Sequence, residues 1–141
     1  RDFADSARRH FDDAELLLEG ARLAGADHLF GLSAECAIKA SLVALGAKTD
    51  GLGDIDRPGH AVHVNRLWKL LPNIPEAQGR QGAALQSLIK IDPFSDWHVN
   101  QRYDHRRYAT PERLAGHRNG ALRALEALER CEPNFTRRNP S

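Results

Sequence analysis

The stretch from Trp97 to Tyr108 (WHVNQRYDHRRY) gathers most of the chemistry of this 141-residue chain into twelve consecutive positions. Four rings able to stack (Trp97, His98, Tyr103, Tyr108) are interleaved with three guanidinium groups, Arg102, Arg106 and Arg107. A guanidinium fork matches phosphate oxygens two at a time, and an aromatic face stacks on a base. A nucleotide or single-stranded nucleic acid asks for that combination. If the stretch were helical, Arg102 and His105 would share a face. A histidine there can move a proton at a phosphodiester while the arginine neutralises developing charge. The plainer reading makes Trp97 and Tyr103 core anchors and lets the arginines snorkel to solvent. For the cluster as a whole anion binding is the better account, with Arg102, Tyr103, Arg106, Arg107 and Tyr108 as the expected contacts.

Other groups carry weaker signals. Glu35 and Lys39 stand four apart on an apolar segment, with the acid on the N-terminal side, the favourable order for a helical pair. Such a pair reads as an internal polar network, a dimer seam or an ordinary surface pair. His60 and His63 are close enough to share a metal, but no third ligand is spaced to complete a site, so no metal or other cofactor is expected. His60, after Pro58 and Gly59, reads better as a turn or cap residue. Cys36 and Cys131, both in helical patterns, belong to no metal-spacing motif and read as small apolar core residues.

The net charge is only +1, but it is unevenly spread. Residues 1–35 hold four arginines against eight acids, and residues 97–123 hold six arginines against Asp104 and Glu112. Separated charge of this kind suits an anionic ligand at the basic end, or an acidic and a basic region that face each other.

The elements that must position these groups are helices. Alanine, leucine, glutamate and arginine dominate the long segments, and strictly alternating β-branched runs are absent. Ala7, Phe11, Ala14, Leu17, Leu18 and Ala21 recur at three- and four-residue steps, which predicts a helix over 5–24 stopped by Gly25. Asp27 is the expected cap of a second, central helix reaching Leu45. Residues 47–60 read as a loop, 61–71 as a third helix, and 75–89 as a fourth with two glycines inside it. Thr110 and Pro111 open a last helix with the stripe Leu114, Leu122, Leu125 and Leu128. The sum is an all-α antiparallel bundle of about five helices, one domain over 1–131 with a poorly ordered tail over 132–141. No apolar run in these residues would span a bilayer and no signal-peptide pattern opens them, so a cytoplasmic location is expected.

Four features in order resemble the HEPN family of small helical domains found in prokaryotic toxin–antitoxin and defence systems, fused or paired with nucleotidyltransferases. They are a first helix of alanine, acidic and leucine residues (Ala7, Ala14, Glu15, Leu17, Leu18) and the stretch Ser33 to Leu42 with its Glu35-x-x-x-Lys39. Gly59-His60 leading into Leu67, Leu70 and Leu71 follows, then Arg102-Tyr103 ahead of the final helix. The resemblance covers about residues 4–131. It implies a homodimer and a nucleotide, RNA, antitoxin or nucleotidyltransferase partner. Many members are metal-independent ribonucleases whose arginine and histidine are separated by four to six residues. Here His105 follows Arg102 after two residues and His117 follows Arg113 after three. The resemblance therefore implies binding without cutting. A ribonuclease using Arg102 and His105, and a pure protein-interaction module, are the alternatives.

Overall fold

The computed structural model describes residues 1–57 and 62–135. The fold is all-α, a bundle with five helices among the described residues: α1 (Phe3–Glu19), α2 (Leu23–Ala44), α3 (Val64–Leu70), the single turn α4 (Ala83–Gln86) and α5 (Pro111–Cys131). The long helices α1, α2 and α5 form the frame, with α2 between the other two. Asp2 caps α1 by accepting from the Asp5 amide at 3.0 Å. The α1–α2 seam is built from small residues: Ala7, Ala14, Ala26 and Ala34 are fully buried, and the Ser33 hydroxyl donates to the Ala7 carbonyl at 2.8 Å. Short side chains bring the two backbones close enough for that bond. Helix α2 is buried almost all round, as its apolar sequence predicts, with Phe30, Ile38 and Leu42 in the core.

The helix boundaries differ from the sequence expectation at one informative place. Asp27 is no cap. The second helix begins at Leu23, so Gly25 lies inside it, and Asp27 is a buried residue of its second turn, 3% exposed. Its carboxylate is engaged by side chains far along the chain, described below.

The predicted helix over 75–89 is broken into 3-10 turns, Pro75–Ala77 and Arg80–Gly82, before α4. Gly82 explains part of this: a Cβ there would lie 2.6 Å from the Ala77 backbone, so the chain doubles back on itself where a continuous helix would run on. Trp68 of α3 then clamps the end of this region, its indole N–H donating to the Leu88 and Ile91 carbonyls at 3.1 and 3.0 Å. Thr110 caps α5 through the Arg113 amide at 3.3 Å, and Pro111 stands at the first turn as predicted. Of the tail expected over 132–141, Phe135 is buried, with the Arg8 guanidinium 5.9 Å from its ring centroid; residues 136–141 lie outside the described residues, as does His60.

Candidate nucleic-acid interface

The stretch from 92 to 109 leaves the helical frame between α4 and α5 as an excursion, and its first half is an anchor. Trp97 is buried (1% exposed) and its indole N–H donates to the Asp27 carbonyl at 3.2 Å. The ring lies directly over Gly31 of α2, where an added Cβ would come within 2.0 Å of it. Phe94 fills the space between Trp68 and His117, 5.4 Å from each ring centroid. The part of the plain reading that gave Trp97 to the core holds. Tyr103 is the opposite case, 76% exposed.

Beyond Trp97 the chain makes two 3-10 turns, Val99–Tyr103 and Arg106–Tyr108, each capped by a histidine. His98 Nδ1 accepts from the Asn100 amide and His105 Nδ1 from the Arg107 amide, both at 3.1 Å. A nitrogen that accepts carries no proton, so each neutral ring has its N–H on Nε2 by assignment. Arg102 and His105 thus sit on different turns and do not share a helical face. That removes the geometry on which an arginine–histidine catalytic pair was expected, and among the described residues no carboxylate orients His105.

The arginines do face outward. Arg102, Tyr103, Arg106, Arg107 and Tyr108 are all exposed. The Arg102 guanidinium lies 4.6 Å from the Tyr103 ring centroid and donates to the Val99 carbonyl at 2.9 Å; that of Arg107 lies 5.2 Å from the Tyr108 ring. Among the described residues none of these three guanidinium groups meets a carboxylate. The acidic first helix is joined to the basic end elsewhere, by Arg118 of α5 and Glu15 at 2.5 Å. An exposed guanidinium stacked on an exposed tyrosine, twice over, keeps both its N–H edge and a ring face available to a ligand.

Beneath this surface lies a charge network that sequence reasoning missed. His117 of α5 is 1% exposed; Nδ1 meets Asp27 Oδ1 at 2.5 Å and Nε2 meets Asp96 Oδ1 at 2.6 Å. Asp27 also accepts from Gln101 at 2.8 Å, and Arg113 reaches Asp96 Oδ2 at 3.3 Å, the Asp96 carbonyl, and the Tyr108 carbonyl at 3.1 Å. Burial pushes the His117 pKa down, but the carboxylates of Asp27 and Asp96 outweigh it and hold the ring above the usual imidazole range. Burial raises Asp96, but His117 and Arg113 overcome it and hold the carboxyl low. The ring is thus an imidazolium donating from both nitrogens, and it fixes the excursion to α2 and α5. A cavity of about 30 Å³ beside it, room for one water, is lined by Asp27, Gln101, Asp104, His105, Tyr108 and Arg113.

Three further findings complete the site's surroundings. Glu35 and Lys39 are buried in a single chain, 8% and 6% exposed, and pair at 3.3 Å. Glu35 also meets His63 Nδ1 at 3.0 Å, and the Lys39 ammonium lies 5.6 Å from the Phe3 ring. The pair is an internal tie between α2, α1 and the approach to α3. His28, next to Asp27, stacks on Trp97 at 5.8 Å and 13°. Burial first, and then the Arg102 charge, hold its pKa below the usual value. Cys36 is only partly exposed and its thiol is pushed up to about 12, by burial first and then by Glu35, which makes it inert rather than nucleophilic.

Among the described residues no group of histidines, cysteines and carboxylates is arranged to hold a metal ion, and no helix is long and apolar enough to cross a membrane. Comparison with protein-family models, with characterised proteins and with solved structures found no match for the chain.

Proposed function

We propose that this chain is a HEPN-like nucleotide- or RNA-binding domain whose ligand lies along Arg102, Tyr103, Arg106, Arg107 and Tyr108. One observation carries the reading: three exposed arginines on a rigidly anchored excursion, two of them stacked on exposed tyrosines, with no carboxylate of the described residues against any of them. Had those charges served the fold, they would be tied inward, as Arg113 and Arg118 are. Binding rather than cleavage is the better reading, because the Arg102–His105 pair is separated onto two turns and His105 spends Nδ1 on a backbone amide. The family resemblance adds a homodimer, an antitoxin or nucleotidyltransferase as partner, and a cytoplasmic prokaryotic toxin–antitoxin or defence system.

The test is a salt-titrated binding assay with a fluorescent oligouridylate. Each phosphate contact on a single strand contributes about −0.7 to the slope of log affinity against log salt. Replacing Arg102 and Arg106 together by alanine should weaken binding and flatten that slope by about 1.4. Unchanged affinity and slope in the double variant would remove this surface as the site.

A further inference from the structure

The connection from α1 to α2 is closed by its own backbone. The Arg22 amide donates to the Leu17 carbonyl at 2.8 Å, and the Ala21 amide donates to that of Leu18 at 3.0 Å. Ala21 takes the left-handed conformation that such a turn requires, at φ 58°. Arg22 therefore leaves the fold from a fixed point. It is exposed, and among the described residues its guanidinium is in no ion pair.

A second wall stands opposite. Arg106 opens the turn Arg106–Tyr108, which packs on α2 and is held by Arg113 on the Tyr108 carbonyl at 3.1 Å. Arg106 is exposed as well, and pairs with no carboxylate of the described residues. An open cavity of about 300 Å³ is lined by Ala21, Arg22, Leu23, Ala24, Gly25 and Arg106. That volume is at the small end of the range for ligand sites, which combine apolar surface with a few placed polar groups. Apart from the two arginines the lining residues here are alanine, leucine and glycine. A cationic ligand would be repelled, and a purely apolar one would leave two guanidinium groups unmet. A base with its ribose suits the apolar part, and phosphates suit the arginines.

We propose that this cavity receives one nucleotide of the bound RNA strand, with Arg22 and Arg106 on its flanking phosphates. Arg106 belongs to the basic stretch, so the cavity continues the surface of Arg107 and Tyr108, and Arg22 joins it from a different element. This rests on the RNA-binding reading above and extends its site to the α1–α2 connection.

The test is binding of fluorescent oligouridylate over a range of salt. Arg22→Ala should weaken binding about tenfold, in the range for a hydrogen bond to a charged group, and flatten the salt slope by about 0.7, one phosphate contact. Arg130→Ala controls for charge alone: that residue is exposed at the far end of α5, about 30 Å of helix from Thr110, and its loss should leave the slope unchanged. Ala24 is exposed, so Ala24→Phe fills the cavity without disturbing the core and should weaken binding as much as Arg22→Ala. Ala24→Ser leaves the space open and should bind as the unmodified protein does. Wild-type affinity and slope in Arg22→Ala, or an equal loss in Arg130→Ala, overturns this proposal and leaves the RNA-binding reading standing. Failure of the unmodified protein to bind oligouridylate overturns both. Should Arg22→Ala fail to fold, the two Ala24 variants decide, and equal binding by them overturns the proposal.

Discussion

Arg113 and His117 close on the same carboxylate from one face of α5: Arg113 Nε lies 3.3 Å from Asp96 Oδ2 and His117 Nε2 lies 2.6 Å from Oδ1. Four residues apart, the two cations grip the start of the excursion, while His117 carries the connection through to Asp27 on α2. Two carboxylates and two cations balance: Asp27 and His117 are buried, while Asp96 and Arg113 reach the surface with side chains 49% and 36% exposed. The exposed arginines owe their fixed placement to this inner set.

Removing the central member should therefore be costly. His117→Ala leaves Asp27 buried with only Gln101 as its side-chain partner, and about 3 kcal/mol of stability should be lost. Urea unfolding measures it directly. RNA affinity should fall as well in the variant that remains folded, because the 96–108 segment loses its hold on α2.

The same network sets a pH dependence. His117 titrates above its ordinary value of 6.5 in the folded chain, so its contribution is complete below that value and is lost as pH rises through the raised one. Asp96 titrates below 3.8 in the folded chain, so its contribution is complete above that value and is lost as pH falls through the lowered one. Considered alone, this network stabilises the fold most between 3.8 and 6.5. Thermal midpoints from pH 5 to pH 9 should decline on the alkaline side, and His117→Phe should remove that decline.

Gly31 is the position where α2 admits the Trp97 indole. An alanine methyl would stand 2.0 Å from the ring, which must then move out of a site where it is 1% exposed. Gly31→Ala should destabilise by about 2 kcal/mol or more, in the range for overpacked cores. Tryptophan fluorescence should shift to the red as the ring gains solvent.

The Glu35–Lys39 pair gives a control on a different part of the fold. Lys39→Met leaves a buried carboxylate with His63 as its remaining partner and should cost about 3 kcal/mol. Glu35→Leu combined with Lys39→Met should recover most of that loss, since a well-packed apolar pair is often as stable as a buried ion pair. Chemical unfolding of the three proteins reads the coupling.

How much of this could be read from the residues divides along the range of the interactions. Helix α5 was legible because Thr110, Pro111 and the leucine stripe act within a few turns of one another. The core position of α2 followed from its apolar circumference. Asp27 misled because its type favours a cap, and its true partner, His117, lies 90 residues away. His117 did leave a faint mark: it occupies the apolar stripe between Leu114 and Ala121, where a histidine must find partners if it is to be buried. The broken helix over 75–89 was signalled by its glycines, but the close approach of Gly82 to Ala77 is a tertiary fact. Residue type alone makes Arg102 and Arg106 expected ligand contacts, and only the fold separates these exposed arginines from Arg113, which has the same chemistry and is spent on Asp96.

The most direct test of the account is where bound RNA touches the protein. Ultraviolet cross-linking of oligouridylate, with the attached peptides mapped by mass spectrometry, reads that position without any substitution. Attachment is expected within residues 97–109, at Tyr103 or Tyr108 above all, with its loss at high salt. Cross-links confined to other faces of the bundle, or none at concentrations that saturate binding, would contradict it.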